Sequence, residues 1–107
     1  MKKTCLIQVF AKAPVAGTCK TRLAPSTGYR GAARIQHELI HLSVDKAAAF
    51  SPNAELWCAP SCSHPAFALC SKRHGIPRRQ QLGNDLGQRM AGAIGQGLRC
   101  ADQVILI

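Results

Sequence analysis

The sequence predicts an α/β fold in layers, with a mainly parallel sheet and the element order β-α-β-α-(β)-α-β. Short apolar runs rich in branched and aromatic residues alternate with longer stretches of helical periodicity, the pattern of strands joined by right-handed helical crossovers. The run Gln103-Val104-Ile105-Leu106-Ile107 is continuously apolar after its first residue, as central parallel strands covered on both faces are. A length of 107 residues with 47% apolar composition supplies one core, not two, and excludes global disorder.

Residues 4–10 (TCLIQVF) read as a buried strand, bounded by Lys2-Lys3 and by Ala11-Lys12-Ala13-Pro14. From Ala11 to Gly28 the glycines and prolines surrounding Lys12, Lys20 and Arg22 break any long helix, so this stretch reads as a functional loop. Between Arg30 and Phe50, Ile35, Leu39 and Leu42 recur at helical spacing, and Ile40, Val44, Ala47 and Ala48 widen the stripe. Ser51-Pro52-Asn53 is turn chemistry; Ala54 to Ala59 is a second strand, ended by Pro60. The His64–His74 segment is a short helix with Pro65 in its first turn and Gly75 after its end. Ile76 to Leu82 is a candidate edge strand. Gly83-Asn84-Asp85 then turns into a helix whose apolar face is Leu86, Met90, Ile94 and Leu98, weakened by glycines at 87, 92, 95 and 97.

Fourteen Lys and Arg against five Asp and Glu give a formal charge of +9. The longest apolar stretches are a few residues, against the ~20 a membrane-spanning helix needs. Lys2-Lys3 and the run after it imitate an export signal, but Gln8 interrupts the run and Pro14 occupies the cleavage position. The expectation is a cytoplasmic chain with no membrane partner, whose six cysteines (5, 19, 58, 62, 70, 100) are reduced thiols.

Chemistry concentrates in the loop after the first strand. Lys12, Lys20 and Arg22 lie within eleven residues, and no carboxylate appears before Glu38. Lysine acts as a point charge and arginine as a two-pronged donor, while Gly17 lets backbone amides approach an anion, with Thr21 beside them. In parallel sheets ligands sit beyond the carboxyl ends of the strands, so this loop is suited to a polyphosphate. It is neither a Walker loop, since Gly17 is separated from Lys20-Thr21, nor a dinucleotide fingerprint, since it has one glycine. A second candidate group is Asp85 and Arg89. The carboxylate either caps the following helix or meets a ribose or base; the guanidinium either reaches phosphate or pairs with Asp85 one turn away.

The run FAKAPVAGTCKTRLAP, the helix opening near GAARIQ, then AELWCAP, LGNDLGQRM and VILI resemble, end to end, bacterial proteins of the DUF2064 group. These are glycosyltransferase-A-like (GT-A) relatives of the nucleotide-diphospho-sugar transferases, and include members named for arsenosugar biosynthesis. The resemblance implies a Rossmann-like GT-A three-layer α/β/α fold that binds a nucleotide-sugar or nucleoside triphosphate, with Mg²⁺ or Mn²⁺ on the phosphates. Lys12, Lys20 and Arg22 match the basic positions of the first loop. Asp85, Gly87 and Arg89 match the pattern Gly-Asp-Leu-Gly-Glu-Arg-Met, with Gly83 as its first glycine, Asn84 as an extra residue and Gln88 in place of Glu.

The resembled family carries an acidic metal-binding stretch just after the strand matching Val104–Ile107. The expectation is therefore that residues 1–107 form the N-terminal, nucleotide-binding part of one GT-A-like domain, truncated after its fourth main strand. Such a part would lack the metal ligands and be inactive alone. An uncovered sheet edge would then favour self-association.

Three other readings compete. A basic nucleic-acid-binding or interaction module without catalysis rests on the charge, but no aromatic platform interleaves with the basic loop, so only nonspecific nucleic-acid affinity is expected. Structural zinc on Cys58, Cys62, His64 and Cys70 has the right donor types, but the spacing C-x3-C-x-H-x5-C is no standard finger. Cys19 beside Lys20 has the cation a nucleophilic thiol needs but no partner base.

Overall fold

The computed structural model describes residues 4–17, 22 and 24–107. Its elements are β1 (Cys5–Lys12), α1 (Ala24–Phe50), β2 (Ala54–Ala59), α2 (Pro65–His74), β3 (Arg78–Gln80), α3 (Leu86–Leu98) and β4 (Gln103–Leu106). The sheet order is β3-β2-β1-β4, and every neighbouring pair is parallel, as the alternation predicts.

The two faces of the sheet differ. Ile7, Val9 and Ala11 of β1 with Ala54, Leu56 and Cys58 of β2 form an apolar face, closed by Ile40, Val44 and Ala47 of α1 and by Phe67 and Cys70 of α2. The opposite face, against α3, is partly polar. There Gln8 is fully buried and donates to the Ala93 carbonyl at 2.6 Å. Buried Glu55 accepts from the Trp57 indole at 3.1 Å and pairs with Arg79. A buried carboxylate must be partnered in this way, because desolvation is otherwise too costly.

The structure corrects several sequence expectations. Helix α1 starts before Arg30, with a break at Gly28, whose φ of 73° and ψ of 165° are non-helical. Its buried positions are Ala32, Gln36, Ile40, Val44 and Ala47, whereas Leu39 and Leu42 are 43% and 53% exposed. The stripe is rotated because the small Ala32 and Ala47 let the helix approach the sheet, and the Gln36 amide reaches the Lys12 carbonyl at 2.9 Å. In α3 the innermost residues are Ala93 and Gly97, while Leu86 and Leu98 at the ends are exposed. Gly97 is therefore a contact point more than a weakness: a Cβ there would lie 2.8 Å from Val104 Cγ2 and 2.9 Å from Gln8 Nε2. Among the described residues strand β4 pairs with β1 alone and Ile105 is 43% exposed, so the last strand stands at the edge of the described sheet.

Helix α2 follows its local code closely. The His64 ring Nδ1 accepts the Ala66 amide at 3.0 Å, Pro65 occupies the first turn, and Gly75 closes the helix at φ 63°. The ambiguous segment resolves into β3, three exposed residues on the sheet edge.

Candidate functional site

A cleft of about 720 Å³ opens at the carboxyl ends of β1 and β2, where the parallel topology places ligand sites. Its walls are Phe10, Ala11, Lys12 and Val15 from β1 and the loop after it, Ala59 and Pro60 from the end of β2, and Gln81, Leu86 and Arg89 from the exit of β3 and from α3. The surface is largely apolar with two cations.

Each wall has a local cause. Phe10 is half-buried beside Trp57, their rings 6.1 Å apart and nearly parallel at 24°, because β1 and β2 pair Phe10 with Trp57 in register. Ala13 N donates to the Ala59 carbonyl at 2.7 Å, carrying the pairing past the last strand residues and holding the two strand exits together. The chain turns at Gly17, whose φ of 86° favours glycine.

Gln81 is the best-anchored polar group of the cleft and is 92% buried, being 8% exposed. Its Nε2 donates to the Trp57 carbonyl at 3.0 Å and the Ala11 carbonyl at 3.3 Å, while its backbone amide donates to the Cys58 carbonyl at 2.9 Å. Two carbonyl acceptors fix which end of the carboxamide is the NH₂. With its Nε2 engaged on two backbone carbonyls, the Gln81 carboxamide is fixed in the wall of the cleft.

At the entrance to α3, Gly83 adopts φ 139°, and a Cβ there would come within 2.9 Å of Gln88 Cβ and 3.0 Å of the Arg89 amide. Only glycine fits that turn. It presents its carbonyl to Arg89 Nε at 3.1 Å, so the guanidinium is held at the cleft wall. Asp85 Oδ1 accepts the Gln88 amide at 2.8 Å, and Gln88 Oε1 accepts the Asn84 amide at 2.9 Å. These reciprocal bonds cap the helix. The Asn84 insertion and the Gln88 replacement thus serve the cap together.

Of the sequence candidates, the fold brings Lys12 and Arg89 to one cleft. Asp85 lies beside it as a cap, Arg89 bonds Gly83 in place of Asp85, and Gly17 and Arg22 are exposed without lining the cavity. Lys20 and Thr21, like Cys19, lie outside the described residues. Sequence reasoning missed Gln81, Phe10 and Pro60. The available signal was Gln81's place directly after a strand, at a carboxyl end.

The thiols have separate occupations. Burial, then its neighbour Cys62, pushes the Cys58 thiol well above its ordinary pKa of 9.0. Burial likewise raises Cys70, whose sulfur is 3.2 Å from His41 Nδ1. The His64 ring is engaged in its cap. Among the described residues, no group of three or more His, Cys, Asp or Glu stands together so as to hold a metal ion, which removes the support for zinc on Cys58, Cys62, His64 and Cys70.

No protein-family model matches the chain, and no curated protein matches it; the resemblance to DUF2064 rests on its motifs alone. A solved structure does match. It is a Desulfovibrio desulfuricans G20 protein, provisionally named a nucleotide-diphospho-sugar transferase, similar at TM-score 0.83 and 24% identity over all of this chain and 47% of that one. The likeness establishes the Rossmann-like GT-A arrangement of the fold, and this chain spans about half the length of that structure. No helix of the described residues is long and apolar enough to cross a membrane.

Proposed function

We propose that the cleft binds a nucleoside diphosphate-sugar or nucleoside triphosphate, with the base over the apolar wall and the phosphates toward Lys12 and Arg89. One observation carries this reading: Lys12, Arg89 and the anchored carboxamide of Gln81 converge on a largely apolar cleft at the carboxyl ends of β1 and β2. Phe10, Val15, Pro60 and Leu86 suit a planar ring, and the lysine and arginine suit anionic oxygens. The name of the structurally similar Desulfovibrio protein agrees with that substrate class. Gly17, Lys20, Thr21 and Arg22 enter the proposal as further phosphate contacts on the motif alone, and Asp85 as a support of the cleft rim.

The resemblance implies a divalent cation, and the residues present do not fit one. None of the chain's five carboxylates lines the cleft. Asp85 caps α3, Glu55 is paired with Arg79, Asp45 lies 2.6 Å from His74, Asp102 accepts the Thr4 amide at 3.0 Å, and Glu38 is exposed on α1. The proposal for residues 1–107 is accordingly the nucleotide-binding part of a transferase-like domain, cytoplasmic and without turnover of its own.

Calorimetric titration of UDP-glucose and of GTP tests it. Binding of either is expected, weakened about tenfold or more by Lys12→Ala or Arg89→Ala, as a lost charge-assisted hydrogen bond of ~1.5–3 kcal/mol predicts. Absence of binding at millimolar nucleotide, or binding indifferent to both substitutions, overturns the reading.

A further inference from the structure

Helix α1 carries the run His37-Glu38-Leu39-Ile40-His41, whose two histidines stand four residues apart and so one turn along the same helix face. Their rings are neighbours. The centroids lie 4.6 Å apart with the planes tilted by 52°, and both residues are partly exposed. Two imidazoles that hold one ion through nitrogens at ~2.0–2.1 Å bring their centroids to about 4.5–5 Å, so the observed spacing suits a shared ion. On a helix, H-E-x-x-H is the pattern by which two imidazoles converge on zinc. Neither ring lines the cleft.

The surroundings prepare His41 as a ligand. The Cys70 sulfur of α2 lies 3.2 Å from its Nδ1 and 3.7 Å from its Nε2, so the nearer nitrogen has a partner that orients the ring. Metal-binding histidines are oriented in this way, by a partner on the nitrogen that does not take the ion. Burial first, then His37 and Arg73, lowers the His41 pKa, which favours the neutral imidazole that has a lone pair to give. Glu38 and Asp45 act on the ring in the opposite sense and bring negative charge toward a bound cation, and Asp45 itself lies 2.6 Å from His74 Nε2 of α2.

We propose that His37 and His41 bind one late first-row divalent cation of the Zn²⁺ class, through one ring nitrogen each, Nε2 in the case of His41. Imidazole suits Zn²⁺, Ni²⁺ and Cu²⁺, whereas Mg²⁺ takes oxygen ligands. Water completes the ion's coordination. Among the described residues no three of His, Cys, Asp or Glu stand together so as to hold a metal ion, so the third protein ligand of a hydrolytic zinc centre is not supplied. The site binds an ion and hydrolyses nothing. The bound ion ties two successive turns of α1 together where that helix meets α2.

The experiment titrates Zn²⁺ and, separately, Mg²⁺ into the reduced, folded chain, following the histidine ring nitrogens by NMR and the affinity by calorimetry. Zn²⁺ is expected to shift the rings of His37 and His41 together and to leave His64, engaged in its helix cap, unshifted; Mg²⁺ is expected to shift none. His37→Gln and His41→Gln, each checked for folding by circular dichroism, are each expected to weaken Zn²⁺ about tenfold or more, because loss even of a partner behind a ligand costs that much. The six cysteines can also take zinc, and the rings separate the two cases. Zn²⁺ bound with both rings unshifted is thiol binding and overturns the proposal. So do a shift of one ring alone, no uptake at millimolar Zn²⁺, and an affinity unchanged in either variant. The rings are read in the parent chain, so the test stands if a variant fails to fold.

Discussion

Gly97 and Gly92 lie on the same helix and answer the same substitution in opposite directions. A Cβ at 97 meets Val104 Cγ2 at 2.8 Å and Gln8 Nε2 at 2.9 Å, so Gly97→Ala must push α3 off the sheet and disturb the buried bond from Gln8 to Ala93. Overpacking of this kind costs ~1–3 kcal/mol, against a helix-propensity gain of up to ~1 kcal/mol. At exposed Gly92 nothing lies within 4 Å, and only the propensity gain remains. Urea denaturation is expected to show Gly97→Ala less stable and Gly92→Ala more stable than the parent. His41 gives the pH dependence. Burial first, then His37 and Arg73, lowers its folded pKa below 6.5, outweighing Asp45 and Glu38, which raise it. In the window below 6.5 the unfolded chain therefore binds more protons than the folded one, so stability is full above that pH and falls as pH drops through it. The His41 ring is expected to titrate by NMR below 6.5, and the fall in melting temperature between neutral pH and about pH 5 is expected to flatten in His41→Asn.

At the scale of elements, the caps decide how Asp85 should be read. Its carboxylate is committed to the Gln88 amide, so Asp85→Ala is expected to cost ~1 kcal/mol of stability while Asp85→Asn, itself a good cap, costs little. If both variants bind nucleotide like the parent, the residue acts through the helix; tenfold weaker binding in Asp85→Asn alone would give it a direct contact. The caps also show what sequence can convey. Pro65 acts through its fixed φ and missing amide, and Gly75 and Asp85 through hydrogen bonds to residues four and three positions away, so α2 and the start of α3 were legible from their own letters. Which side of α1 and α3 would be buried was not, because Leu39, Leu42, Leu86 and Leu98 outweigh alanine and glycine in any periodicity, whereas close approach to the sheet selects Ala32, Ala47, Ala93 and Gly97. The site divides in the same way. Lys12 and Arg89 were readable as cations at element ends, but Gln81 acquires its role from the carbonyls of Ala11 and Trp57, which lie far from it in the chain.

Across the whole molecule two surfaces compete with the cleft for partners. Phe50, Ile105 and Ile107 are 73%, 43% and 52% exposed along the β4 edge, a strand with one neighbour among the described residues. Self-association there is expected to raise the sedimentation coefficient with concentration and to diminish in Ile105→Lys; a concentration-independent monomer counts against it. The second surface is the charge of +9, spread along the chain, of which the cleft walls hold Lys12 and Arg89 among the described residues. Counterion release makes the distinction measurable. A single-stranded oligonucleotide that engages several dispersed cations releases about 0.7 counterion per phosphate contact, so its affinity should fall by orders of magnitude between low and moderately high salt. UDP-glucose, with one diphosphate facing two cations, should lose about tenfold or less over the same range. If the cleft is the nucleotide site, oligonucleotide at high salt will not displace UDP-glucose, and Lys12→Ala will weaken the nucleotide far more than the oligonucleotide. Parallel salt slopes and parallel losses in Lys12→Ala would instead make the cleft one part of a general basic surface, and the nucleotide reading would fail.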